Sequence, residues 1–191
     1  MNTEGLAVLK AVVDVLGANS IQYMLGGSFA SSFYGIPRAT FDADLVAEIA
    51  PADVKRFYAS VKTSFYADPD DILRAAKQRA SFNLVHLETA FKVDIFPLKA
   101  DEYSKQAFTR RIKQTLFPES GEGIWLQAPE DVIISKLLWH KLGGETSEKQ
   151  PADIAGVLKT QTGILDIKYL DFWLERLGLA DLFRKIALSR K

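Results

Sequence analysis

The sequence predicts an α+β protein: a mixed β-sheet with flanking helices, followed by a C-terminal helical segment. Three observations predict it. Up to residue 128, short strand-like runs alternate with stretches of helical periodicity. Two of those runs are close enough to form a hairpin, and from Pro129 onward only helical patterns remain. We therefore divide the chain into a core at 1–128 and a helical segment at 129–191 that packs on it.

Gly5 to Leu16 places Leu6, Leu9, Val12, Val13 and Leu16 at helical spacing, and Gly17-Ala18-Asn19-Ser20 ends the helix. Gln22 to Leu25 reads as a strand running into Gly26-Gly27-Ser28, with a short helix over Phe29 to Phe33 and a stop at Gly35 and Pro37. Thr40 to Ile49 is a strand. Pro51-Ala52-Asp53 opens an amphipathic helix through Val61, and Pro69 opens another through Lys77. Ser81 to Leu87 and Ala90 to Leu98 form a hairpin across Glu88-Thr89. A second strand pair, Arg110 to Leu116 and Ile124 to Gln127, flanks the turn-rich Pro118 to Gly123. Helices then cover Glu130 to Leu142, Ala152 to Thr160, Ile167 to Leu177 and Ala180 to Leu188.

Composition narrows the function classes. The 191 residues carry 24 basic and 24 acidic side chains, so no overall basic field exists for nonspecific nucleic-acid binding. Cysteine is absent, which removes disulfides, thiolate metal sites and cysteine nucleophiles and fits a reducing compartment. No apolar run approaches membrane-spanning length and no signal peptide is seen, so we expect a cytoplasmic protein with no membrane contact. His86 and His140 have no zinc spacing and read as structural, while Trp125, Trp139 and Trp173 sit in apolar runs and read as core. Lys105, Arg110, Arg111 and Lys113 form the best local cluster for touching a polynucleotide, against a plain reading as solvated charge.

The chemistry centres on three acids inside apolar runs: Asp42 and Asp44, spaced to share one face of a strand, and Asp94 in Phe91-Lys92-Val93-Asp94-Ile95-Phe96. Phe91, Val93 and Ile95 share the face opposite Asp94, so the acid is free to face a site. Two carboxylates about 5 Å apart at an effective dielectric near 20 repel by about 3 kcal/mol, a cost that a divalent cation turns into binding. Gly26, Gly27 and Ser28 at the start of a helix present free amides and a hydroxyl suited to phosphate.

Leu25-Gly26-Gly27-Ser28, thirteen intervening residues, Asp42-Ala43-Asp44-Leu45 and a later Val93-Asp94-Ile95 resemble the nucleotidyltransferase superfamily typified by DNA polymerase β. Within it the chain looks most like the small bacterial branch related to AbiEii abortive-infection toxins, including Ala128 to Ile133 with Lys136 and a following Asp153. The resemblance implies that Gly27 and Ser28 hold the β and γ phosphates of a nucleoside triphosphate. It implies that Asp42, Asp44 and Asp94 bind two magnesium ions, with Asp94 also activating or orienting an acceptor hydroxyl. Such a site transfers a nucleoside monophosphate and releases pyrophosphate. The resemblance makes RNA, especially a transfer RNA end, an acceptor, with an aminoglycoside-like small molecule or a protein side chain as alternatives, and it implies a cognate antitoxin.

Lys136 lies at the edge of a broad apolar face, where it either snorkels to solvent or reaches the donor phosphates. Arg38 and Thr40, ahead of the acid strand, contact phosphate, fix Asp42, or are solvated. Asp153 is either the branch's motif acid or a helix-start residue; the arginines usual before it are replaced here by Glu148 to Ala152. A catalytically silent nucleotide-binding module of the same fold is the alternative, disfavoured because it has no chemical reason to keep three repelling acids. A glycosyltransferase using Asp-x-Asp is disfavoured by the early Gly-Gly-Ser and the third acid.

Overall fold

The structure is a computed structural model that describes residues 3–116, 121 and 123–188. Its centre is a seven-stranded mixed sheet of β1 (Tyr23–Leu25), β2 (Asp42–Ala47), β3 (Phe65–Tyr66), β4 (Phe82–His86), β5 (Lys92–Pro97), β6 (Ile112–Thr115) and β7 (Gly123–Leu126). The spatial order is β3-β4-β5-β2-β1-β7-β6. β2 pairs in parallel with β5 and β1 with β7, while β1–β2, β3–β4, β4–β5 and β6–β7 are antiparallel.

The central strands alternate as their sequence requires. Ala43, Leu45 and Ala47 of β2 and Val93 and Ile95 of β5 are fully buried, while the residues between them are partly open. Helices α1 (Thr3–Ala18), α2 (Gly27–Tyr34), α3 (Val54–Val61), α4 (Pro69–Gln78) and α5 (Glu102–Thr109) belong to the sheet portion. Pro51–Asp53 forms a 3-10 turn that leads into α3. Asp68 caps α4, accepting from the amides of Asp70 and Asp71, with Pro69 in the first helical position. Then come α6 (Pro129–Leu142), α7 (Lys149–Thr160), α8 (Ile167–Arg176) and α9 (Ala180–Leu188). Residues from α6 to α9 share one hydrophobic cluster with the sheet and α1 to α5.

The expected hairpin forms, and the expected second strand pair does too, although the turn at 118–123 lies largely outside the described residues. Two elements are additional to the sequence reading. α5 is a short amphipathic helix capped by Asp101, which accepts from the Ser104 amide at 2.8 Å, and β3 is only two residues long. Consequently Arg110, expected on a strand, closes α5. Two of the three tryptophans depart from the expected core position. Trp173 is buried, but Trp125 is 36% and Trp139 55% exposed, because each lies on the outer side of an element whose other side fills the core. His140 is buried, and His86 bonds Thr89 within its own hairpin. Among the described residues, no helix is long and apolar enough to cross a membrane.

Candidate active site

The site forms where β1 ends, beside the start of β2. Gly26 donates its amide to the Asp44 carbonyl at 2.9 Å and caps α2 with no side chain of its own. Gly27 adopts the left-handed conformation (φ +56°), and a Cβ there would fall on the Asp44 carboxylate, with Cγ at 2.6 Å. Only glycine satisfies both demands. The first-turn amides of α2 therefore open directly beside Asp44.

Asp42 and Asp44 lie on one face of β2. The parallel register sets Asp44 level with Asp94 and Asp42 level with Lys92 on β5. Burial, and then the charges of Asp42 and Asp94, push the Asp44 carboxyl from 3.8 up to about 6. Thr40 Oγ1 donates to Asp42 Oδ1 at 2.9 Å and orients it. Lys92 Nζ stands 2.7 Å from Asp94 Oδ2, and that hydrogen bond raises the lysine's pKa. Phe96, two residues past Asp94 on the same face, meets the exposed Trp139 ring edge to face at 6.0 Å.

The second half of the site is cationic. Arg38 reaches Asp153 through both forks, Nε to Oδ1 at 2.9 Å and Nη2 to Oδ2 at 3.0 Å, and Nη2 also donates to Ser28 Oγ at 2.6 Å. Lys136 Nζ lies 2.8 Å from Asp153 Oδ2, and both side chains are almost wholly buried, at 6% and 5% exposure. Lys136 therefore does not snorkel, Arg38 is not free in solvent, and Asp153 is an internal anchor in α7. Burial alone would raise the Asp153 carboxyl, but the hydrogen bonds from Arg38 and Lys136 hold it below its ordinary range. One carboxylate balances one of the two cations. The remaining positive charge faces Ser28 and the amides of α2, which suits phosphate. The guanidinium paired with Asp153 thus comes from a distant segment, Arg38, rather than from its own helix.

Close helix packing makes this junction possible. A Cβ on Gly156 would stand 3.0 Å from the Ile36 amide nitrogen, and one on Gly35 2.9 Å from that of Val157. The end of α2 is then tied to α7 by Gln161 Nε2, which donates to the Tyr34 carbonyl at 2.9 Å, and by the Thr160 hydroxyl on the same oxygen.

Among the described residues, no three histidine, aspartate or glutamate side chains are gathered closely enough to hold an ion as they stand. The donor set nevertheless fits a hard divalent cation: oxygen ligands only, on two adjacent strands, with burial and then mutual repulsion lifting the Asp44 pKa. Of the basic cluster expected at a polynucleotide, Arg110 instead turns inward. Its Nη2 pairs with Glu130 at 2.7 Å and its guanidinium lies 3.6 Å from the Tyr169 ring centroid.

No family model matches the sequence, and no curated protein matches it. Solved structures do match. The chain resembles the antibiotic-resistance factor ANT(2'')-Ia at a TM-score of 0.60 and 14% identity, over 99% of this chain and 97% of that one. It resembles an antigenic nucleotidyltransferase-like protein from Paracoccidioides brasiliensis at 0.54 and 16%, over 98% and 94%. A candidate nucleotidyltransferase from Thermotoga maritima gives 0.52 and 14%, over 76% and 90%. At such identities the likeness is one of fold.

Proposed function

We propose that the protein is a magnesium-dependent nucleotidyltransferase that moves a nucleoside monophosphate from a nucleoside triphosphate to a hydroxyl acceptor. One observation carries this reading: Gly27, left-handed and pressed on Asp44, puts the free amides of α2 against the acid pair. A phosphate held by those amides lies beside the carboxylates.

On this reading Gly26, Gly27 and Ser28 hold the terminal phosphates, and Arg38 and Lys136, fixed by Asp153, supply charge to them. The core at 1–128 thus carries cradle and acids, and the segment at 129–191 brings Lys136 and Asp153. Two magnesium ions held by Asp42, Asp44 and Asp94 would neutralise the leaving pyrophosphate and lower the acceptor hydroxyl's pKa. The acceptor oxygen forms a bond to the α-phosphorus, the bond from that phosphorus to the bridging oxygen breaks, and pyrophosphate leaves with the bond's electron pair. Asp94 takes the hydroxyl proton, and Thr40 holds Asp42 in place.

The test uses an α-labelled nucleoside triphosphate with magnesium and two acceptor pools, transfer RNA and an aminoglycoside. Label should enter one pool with release of pyrophosphate, and Asp94→Asn should slow the transfer by about a hundredfold or more. Label in neither pool, with donor intact, would count against the reading. The AbiEii-like toxin role is a separate arm: overproduction in a bacterial host should arrest growth, and a cognate antitoxin should relieve it.

A further inference from the structure

A second concentration of charge lies past the far ends of β2 and β5. There a cleft of about 560 Å³ is lined by Gln22, Glu48, Arg79, Lys99, Lys105 and Arg111, together with apolar and neutral residues. Four cations thus face one carboxylate in a protein whose net charge is zero.

The arginines show that this is not ordinary surface charge. Among the described residues, Arg38, Arg56, Arg74, Arg110, Arg176 and Arg184 each hold a carboxylate. Arg79 and Arg111 are held by neutral oxygens instead. Arg79 donates to the Leu98 carbonyl, and Arg111 donates to the Phe108 carbonyl at 2.6 Å and to the Gln22 side-chain oxygen. The Arg111 guanidinium also lies over Phe108 and Trp125, 4.3 and 5.1 Å from their ring centroids, and its Nε is shut away from solvent without a hydrogen-bond partner. Both guanidiniums are thus fixed in place without a carboxylate bound to them. Lys99 and Lys105 stand beside them, an arrangement that repels itself until an anion enters.

We propose that this cleft binds a ligand carrying several phosphate groups, at a site separate from the donor cradle. Four cations around a cleft of this volume exceed what one phosphate group needs. Glu48 lies four residue steps beyond Asp44, just past the end of β2, roughly 13 Å at about 3.3 Å per residue, so a donor seated at Gly27 does not present its phosphates here.

The test is binding of a short fluorescent single-stranded RNA to the full chain in chelated, low-salt buffer, with inorganic tripolyphosphate as competitor. Chelation keeps the readout independent of transferase activity. Lys99→Gln/Lys105→Gln should weaken binding at least tenfold, and should flatten the plot of log affinity against log salt by about 0.7 for each phosphate the variant leaves unneutralised. Asp42→Asn/Asp44→Asn should bind as tightly as wild type or more tightly. Arg79→Gln/Arg111→Gln should act like the lysine pair, but Arg111 also packs on two rings, so the exposed lysines decide the result. Displacement by tripolyphosphate identifies a small polyanion, and binding of RNA alone identifies a polynucleotide backbone; either supports the site. No binding of RNA or tripolyphosphate, or equal binding by wild type and the lysine variant, would overturn it.

Discussion

Gly27 is where one residue controls most. Its left-handed backbone and its closeness to Asp44 leave no space for a methyl group, so Gly27→Ala should cost about 1–2 kcal/mol in backbone strain alone and abolish nucleotide binding. Thermal melts with and without a triphosphate analogue check both effects. Asp44 sets a pH dependence. Its carboxyl ionises at about 6 in the fold and near 3.8 when unconstrained, so the folded form keeps a proton that the unfolded chain releases between those values. Stability should therefore fall as pH rises through that window and stay lower above it, by about 3 kcal/mol at most. In chelated buffer Asp44→Asn should be the more stable protein at neutral pH and lose that advantage below the window. Urea melts across the range check it, and a larger advantage at acid pH would contradict it. These acids were legible in the sequence because strand alternation alone sets which side chains share a face. The role of Lys136 was not, because its partner Asp153 is identified only once α7 is packed beside α6.

At the scale of elements, the α2–α7 contact decides whether the cationic half of the site exists. Gly156→Val would push branched carbons into the backbone at Ile36, separating Arg38 from Asp153. We expect a loss of about 1–3 kcal/mol in stability and a weaker donor affinity, read together by melts and calorimetry. The pairing of Arg38 with a residue 115 positions away could not be read from sequence, which offers no distance between distant segments. α5 could have been read, since Asp101 with Glu102 behind it is a helix-start signal ahead of Tyr103, Ala107 and Phe108. The short apolar runs around Trp125 and Trp139 misled for a physical reason. In a run of hydrophobic residues, periodicity does not say which side chain is left on the outside.

For the whole molecule, the buried network around Arg110 ties the sheet portion to α6, which carries Lys136, and to α8. Arg110 balances Glu130 and Asp131, Tyr169 donates to Asp131 at 2.6 Å, and Glu130 accepts the Asp166 amide at 2.7 Å. Arg110→Met would leave two buried acids without a cation and should destabilise the protein by about 3–5 kcal/mol, measured by chemical denaturation. The sequence announced an α+β core with helices after it, but not this lock, since Arg110 was expected among exposed charges. On the proposed reading, cradle, acids and anchored cations together bind a nucleoside triphosphate through a divalent metal. Calorimetry with a nonhydrolysable triphosphate, across all four bases, with and without magnesium, tests it most directly. Binding should require magnesium, and Asp42→Asn/Asp44→Asn should abolish it. Absence of binding to the wild-type protein with every base, or binding indifferent to both magnesium and the acid pair, would contradict it.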